Sequence, residues 1–127
     1  MDESEKHEAG MRVRRAVLGN EHVDRAEAEK TTFDQDYQDL ITRYAWGEIW
    51  TRTSMTPHTR SLLTIGLMVA LNRSEELGMH IRAAGNNGVT TAEIEEVLLH
   101  CAVYCGVPAA NTAFKIAKEI LVTGAGY

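Results

Sequence analysis

From Leu62 to Leu71 the chain runs LLTIGLMVAL, apolar on nearly every side of a helix and broken only by Thr64 and Gly66. A helix that is apolar all round is expected to be buried, and these ten residues are too few to cross a bilayer. Thr56 is placed to cap this helix, and Pro57 takes the first helical position, where its missing N–H costs nothing. Asn72 and Arg73 make a corner. Ser74 can cap a second helix with Leu77, Ile81 and Ala84 on one face and His80 close beside it. Asn86, Asn87 and Gly88 end that helix in residues that tolerate left-handed backbone. The pattern predicts a buried helical hairpin at the centre of the chain.

The flanks are helical as well. Glu3 to Leu18 contributes Met11, Val13, Val17 and Leu18, with Gly19-Asn20 as its stop; it is mostly polar and not stable alone. His22 to Lys30 is acidic and weakly periodic, a short helix or turn. A third helix is expected from Thr32 as cap, with Asp34 and Asp36 in its first turn. Phe33, Tyr37, Leu40, Ile41, Tyr44, Trp46, Ile49 and Trp50 recur at helical spacing and give it a broad aromatic face. TRTSMTP is a turn-rich connection. Thr90 and Glu93 spell a capping box ahead of Ile94, Val97, Leu98 and Cys101. Gly106 stops that helix, and Pro108 opens a last one carrying Ala109, Ala110, Ala113, Phe114, Ile116, Ala117 and Ile120. The final TGAGY is expected to fray. No stretch alternates like a strand, so the chain is expected to be all-α, with about six helices.

At 127 residues the expectation is one domain, 1–127, burying about two-thirds of its unfolded surface. Net charge is −5, with no basic cluster beyond Arg12, Arg14 and Arg15, so nucleic acid is not an expected partner. The opening MDESEKHEAG lacks the charged and apolar regions of a secretory leader, and with no membrane span the expected location is the cytoplasm. Cys101 and Cys105 stand four apart, not at the two-residue spacing of a redox or zinc pair, and read as small buried hydrophobes. The helices carry more apolar face than one small bundle hides, so self-association is expected.

No phosphate loop, nucleophile elbow or zinc spacing is present. What remains is a set of polar residues set in apolar or aromatic sequence: His80, Glu48, Arg52, His58, Arg60, Arg73, Glu76, Arg82, His100 and Tyr104. Arg73, Glu76 and His80 fall on one helical face as it leaves the corner. His80 suits proton transfer near neutrality, or is a core histidine bonded to a carbonyl. The arginines suit a carboxylate, or are surface salt bridges of little worth. Glu48, inside WGEIW, is either desolvated by its aromatic neighbours or held in an ion pair or cap. His58 and Tyr104 either reach a pocket or are structural.

TPHTRSLLTIGLMVALNRSEELGMHIRAAGNNG (Thr56 to Gly88), RYAWGEIW (Arg43 to Trp50) and YCGVPAAN (Tyr104 to Asn111) together resemble the carboxymuconolactone decarboxylase family. The likeness runs from EAGMRVRRAVLG onward. It implies an alkylhydroperoxidase D-like helical fold, a first helix lying across a neighbour, and a homohexamer built from trimeric rings. The implied activity is decarboxylation of γ-carboxymuconolactone to 3-oxoadipate enol-lactone, in the β-ketoadipate route of protocatechuate breakdown, with no cofactor and no metal. On this resemblance the catalytic candidates are His80, Glu48 and Tyr104. The substrate-binding candidates are Arg60, Arg73, Arg52, His58 and Trp46. The peroxidase branch of the superfamily carries C-x-x-C where this chain has Arg73 and Glu76, and its upstream acidic residue falls near Ser61. Without those thiols there is no disulfide exchange to perform. A non-catalytic helical assembly protein is the other alternative.

The implied substrate carries a carboxylate and an acetate arm on one ring carbon, conjugated through a double bond to the lactone carbonyl. It is its own electron sink. The protein must hold the retained carboxylate, stabilise charge growing on the lactone oxygen and supply a proton. The departing carboxylate is best left poorly solvated and unpaired.

Overall fold

The computed structural model describes residues 2–124, all of whose regular structure is helical. Chain contacts divide it into two compact units, one up to Pro57 and one from His58 on.

The first unit holds α1 (Glu3–Leu18), α2 (Asn20–Glu29), α3 (Gln35–Ile41) and a π-helical segment, Thr42–Ile49. Asp2 starts α1 with a reciprocal capping box, its carboxylate accepting from the Glu5 N–H at 2.8 Å. Gly19, at φ 91°, turns the chain directly into α2. The π segment lies against α1, and two glycines set how closely. A Cβ on Gly10 would run into the Thr42 carbonyl oxygen and the Gly47 backbone, and one on Gly47 would run into the Lys6 carbonyl. Val17, Val23 and Trp46 are buried around this crossing unit's interior. Arg14, also buried, pairs with Glu27 at 3.3 Å. Thr32 does not cap the third helix. The Thr31 N–H instead donates to Asp34 Oδ1 at 2.8 Å and the helix begins at Gln35, because the local Thr–Asp turn competes for the same backbone. The aromatic face is largely open in the chain, with Phe33, Tyr37 and Tyr44 exposed.

The second unit holds α4 (Pro57–Ala70), α5 (Ser74–Ala83), a 3-10 turn (Ala84–Asn87), α6 (Thr91–Tyr104) and α7 (Val107–Leu121). Its core joins Ile65 and Val69 of α4 to Leu77 and Ile81 of α5, Ile94 and Leu98 of α6, and Ala113 and Ile116 of α7; α7 packs on both α5 and α6. The corner after α4 is made by Asn72 in the left-handed region at φ 58°, a conformation Asn tolerates better than most residues. Two expectations are corrected here. Arg73, not Ser74, is the N-cap of α5, and it makes no side-chain capping bond. And α4 is not covered on all sides: Leu63, Leu67 and Leu71, a stripe at four-residue spacing, are about half exposed, because this single chain packs only the Ser61–Ile65–Val69 side. The capping box at α6 is as the sequence spells it. Glu93 N–H donates to Thr90 Oγ1 at 3.1 Å, and the Thr90 N–H donates to Glu93 Oε1 at 2.9 Å. Among the described residues seven α-helices stand where about six were expected, the extra one being the acidic α2. Residues 125–127 of the terminus expected to fray lie outside the described residues. Among the described residues no helix is long and apolar enough to cross a membrane.

Candidate active site

The face that leaves the corner runs from open to closed. Arg73 and Glu76 are exposed, while His80 is 9% exposed. It sits between Leu77 and Ile81 in sequence, both part of the core. An imidazole in that position is shielded from bulk water, so any polar contact it makes is stronger than on the surface.

The two favoured arginines sit at opposite ends of α4. Arg60 is half-buried in the first turn, and exposed Arg73 lies beyond the last. The helix between them sets their Cα atoms roughly 20 Å apart. Within one chain that separation keeps them from acting as two tines of one fork.

His58 is already engaged. Its Nε2 lies 2.9 Å and 3.0 Å from the two carboxylate oxygens of Glu93. Glu93 is thereby bound at once by the Thr90 backbone N–H, by the Thr90 hydroxyl and by His58. The Thr90 amide first, and His58 after it, hold the Glu93 carboxyl below its ordinary value. Sequence alone reads Glu93 as a capping residue only, because its partner stands thirty-five positions away.

Tyr104 is exposed, and its ring stacks on His100 with centroids 4.9 Å apart and planes tilted by 37°. Both line an apolar groove of about 640 Å³ between α4 and α6, with Leu62, Leu67, Cys101 and Cys105. His80, Arg60 and Arg73 are not among its lining residues. The groove therefore brings Tyr104 to His100 and the cysteines, and not to His80.

The remaining candidates lie in the first unit. Trp46 is buried, 5.1 Å from Trp50 between ring centroids. Glu48 is exposed and accepts from Lys6 Nζ at 3.1 Å, which is the ion-pair setting and not a desolvated one. Its carboxylate raises the Lys6 ammonium above its ordinary value. Arg52 is exposed in the turn that follows the π segment, its N–H donating to the Ile49 carbonyl at 3.1 Å. Among the described residues no three His, Cys, Asp or Glu side chains are placed to hold a metal ion.

A profile described as the carboxymuconolactone decarboxylase family matches residues 35–119. The chain belongs to the carboxymuconolactone decarboxylase family. Its similarity extends beyond that stretch. A protein of Acinetobacter baylyi named 4-carboxymuconolactone decarboxylase is 47% identical over 120 residues, covering 94% of this chain and 90% of that one. A protein of Metarhizium robertsii named nitrosuccinic acid decarboxylase is 45% identical over 112 residues, 88% of this chain and 78% of that one. A 4-carboxymuconolactone decarboxylase sequence of Pseudomonas putida is 50% identical over 48 residues, which cover 38% of this chain and all of that sequence. Two relatives at comparable identity are thus both named as decarboxylases, of different acids.

Proposed function

We propose that this chain is a 4-carboxymuconolactone decarboxylase that needs no cofactor, acting as a single functional domain. The observation that carries the reading is the 47% identity to the Acinetobacter baylyi enzyme over 94% of the chain. The bond from the ring carbon to its carboxylate breaks and CO2 leaves. The electron pair moves through the ring double bond onto the lactone oxygen, and a proton then arrives at the carbon beside the lactone carbonyl. His80, buried at the core's edge, serves as donor to that oxygen or as the acid. Arg60, half-buried where Arg73 is exposed, is the favoured guanidinium for the acetate carboxylate. Apolar neighbours leave the departing carboxylate unpaired, which raises the ground state relative to the transition state.

The Metarhizium robertsii relative supports the same division of labour. Nitrosuccinic acid has one carbon bearing a carboxylate, an electron-accepting nitro group and a carboxymethyl arm. The lactone has one carbon bearing a carboxylate, a conjugated acceptor and a carboxymethyl arm. The unit common to both is a succinate whose departing carboxylate sits beside an electron sink. That favours one anchored carboxylate and one released.

The same reading includes a cytoplasmic location and assembly as a homohexamer of trimeric rings; the exposed Leu71 and Phe33, outside the α4–α6 groove, support the self-association. The test is direct. Purified protein, with no added cofactor or metal, is mixed with enzymatically generated carboxymuconolactone, and CO2 and enol-lactone are followed. Stoichiometric release of both is expected; substrate decay no faster than in buffer overturns the reading. A parallel run with nitrosuccinate measures how far the acceptor can vary.

A further inference from the structure

Cys101 and Cys105 are the chain's two cysteines, and the proposed decarboxylation uses neither. They stand four apart, Cys101 in the last turns of α6 and Cys105 as its C-cap, neither in a disulfide, and both line the α4–α6 groove. Four-residue spacing stacks them on one face of the helix, with Cβ atoms about 5–6 Å apart. A disulfide wants about 3.5–4.5 Å between those atoms, so a direct sulfur–sulfur bond would require the last turn of α6 to unwind. One atom interposed between the two sulfurs needs no such movement.

The groove leaves room for it. Gly66 faces Cys101 from α4, and the position its Cβ would occupy is 4.0 Å from Cys101 Sγ and 3.8 Å from Val97 Cγ1. With hydrogen alone there, the floor above the Cys101 sulfur is open. Leu62 and Leu67 form one wall, and the stacked His100 and Tyr104 rings stand at the same groove. An apolar or aromatic substituent on the bridging atom therefore has surface to lie against. Burial first, and the neighbouring Cys105 after it, push the Cys101 thiol above its ordinary pKa. A Cys101 held as the thiol is a poor partner for hydroperoxides, which need thiolate, whereas two neighbouring sulfurs suit a reagent that takes up both and releases water.

We infer that Cys101 and Cys105 form a two-sulfur binding site for trivalent organic arsenicals, seated in the groove between α4 and α6. The step is a condensation. Two arsenic–sulfur bonds form, two S–H bonds and the arsenic–oxygen bond of the oxide break, and one water leaves. Arsenic stays trivalent and nothing is oxidised. This site is independent of the decarboxylation assigned above, and its test does not read that activity.

The experiment treats the folded full-length chain with phenylarsine oxide and measures intact mass, free thiols and circular dichroism. One phenylarsenic group per chain is expected, with both thiols lost and the helical spectrum kept. Excess glutathione should leave this adduct in place, while a small dithiol removes it. Cys101→Ala and Cys105→Ala should each bind through one sulfur only, and be stripped by glutathione at a concentration lower by at least about a hundredfold, as chelation implies. If one alanine variant does not fold, the other and the wild-type stoichiometry still decide. Two arsenic atoms per chain, arsenic-linked pairs of chains, no adduct on the folded protein, or an adduct stripped as readily as that of a single-cysteine variant each overturns the inference.

Discussion

His58 Nε2 sits 2.9 Å from one carboxylate oxygen of Glu93 and 3.0 Å from the other, while Glu93 also closes the capping box of α6 through Thr90. One carboxylate thus ties the first turn of α4 to the first turn of α6. The orphan N–H groups of a helix start and a neighbouring imidazole are satisfied together.

This junction carries a pH signature. Glu93 is held below its ordinary value of 4.5, chiefly by the Thr90 amide and then by His58. A depressed value in the folded chain means that the unfolded chain takes up protons first as pH falls. The stabilisation is therefore complete above pH 4.5 and fades as pH drops through the lower folded value. Thermal melts from about pH 7 to about pH 3 should show Glu93→Gln starting below wild type and converging on it at the acid end. Parallel curves would assign the linkage to another group.

The crossing of α1 with the π segment makes a second prediction. Alanine in a helix is normally better than glycine by roughly 0.5–1 kcal/mol. At Gly47 the added Cβ meets the Lys6 carbonyl, and overpacking against backbone costs about 1–3 kcal/mol. Gly47→Ala should lower the urea midpoint and speed proteolytic cleavage within α1. A raised midpoint contradicts the close approach.

His80 bears on turnover. His80→Gln keeps volume and a polar edge but cannot titrate, and should lower kcat for carboxymuconolactone by at least about tenfold. The helical spectrum should be unchanged. Near-normal kcat in a folded variant removes His80 from the chemistry.

The carboxylate clamp is settled by comparing two arginines. Arg60→Met should raise KM by roughly 10- to 100-fold, as loss of a charged hydrogen bond implies, while Arg73→Met changes it little. The reverse pattern would move the anchor to the corner.

What the sequence makes legible here is local. Gly19 and Gly106, both at φ above 90°, and the Thr90–Glu93 box are readable because cap and turn chemistry is decided within a few residues. The core positions Leu77, Ile81, Ile94 and Leu98 follow from helical spacing alone. The π winding of Thr42–Ile49 is not readable in this way, since it goes with the approach of Gly47 to Gly10, a contact distant in sequence. The same holds for the His58–Glu93 bond and for the open groove that Gly66 permits. Of the candidate site, His80's burial was inferable from its apolar neighbours. Glu48's pairing with Lys6 was not, because aromatic neighbours in sequence need not be neighbours of the carboxylate in space.

The leucine stripe on α4 has a consequence for handling the protein. A chain that keeps Leu63, Leu67 and Leu71 in water carries a colloidal liability whenever nothing lies over them. Its melting temperature should then rise with protein concentration, as mass action demands of any species stabilised by its own copies. Sulfate, excluded from apolar surface, should deepen that dependence, whereas high dilution should leave behind a looser and stickier particle.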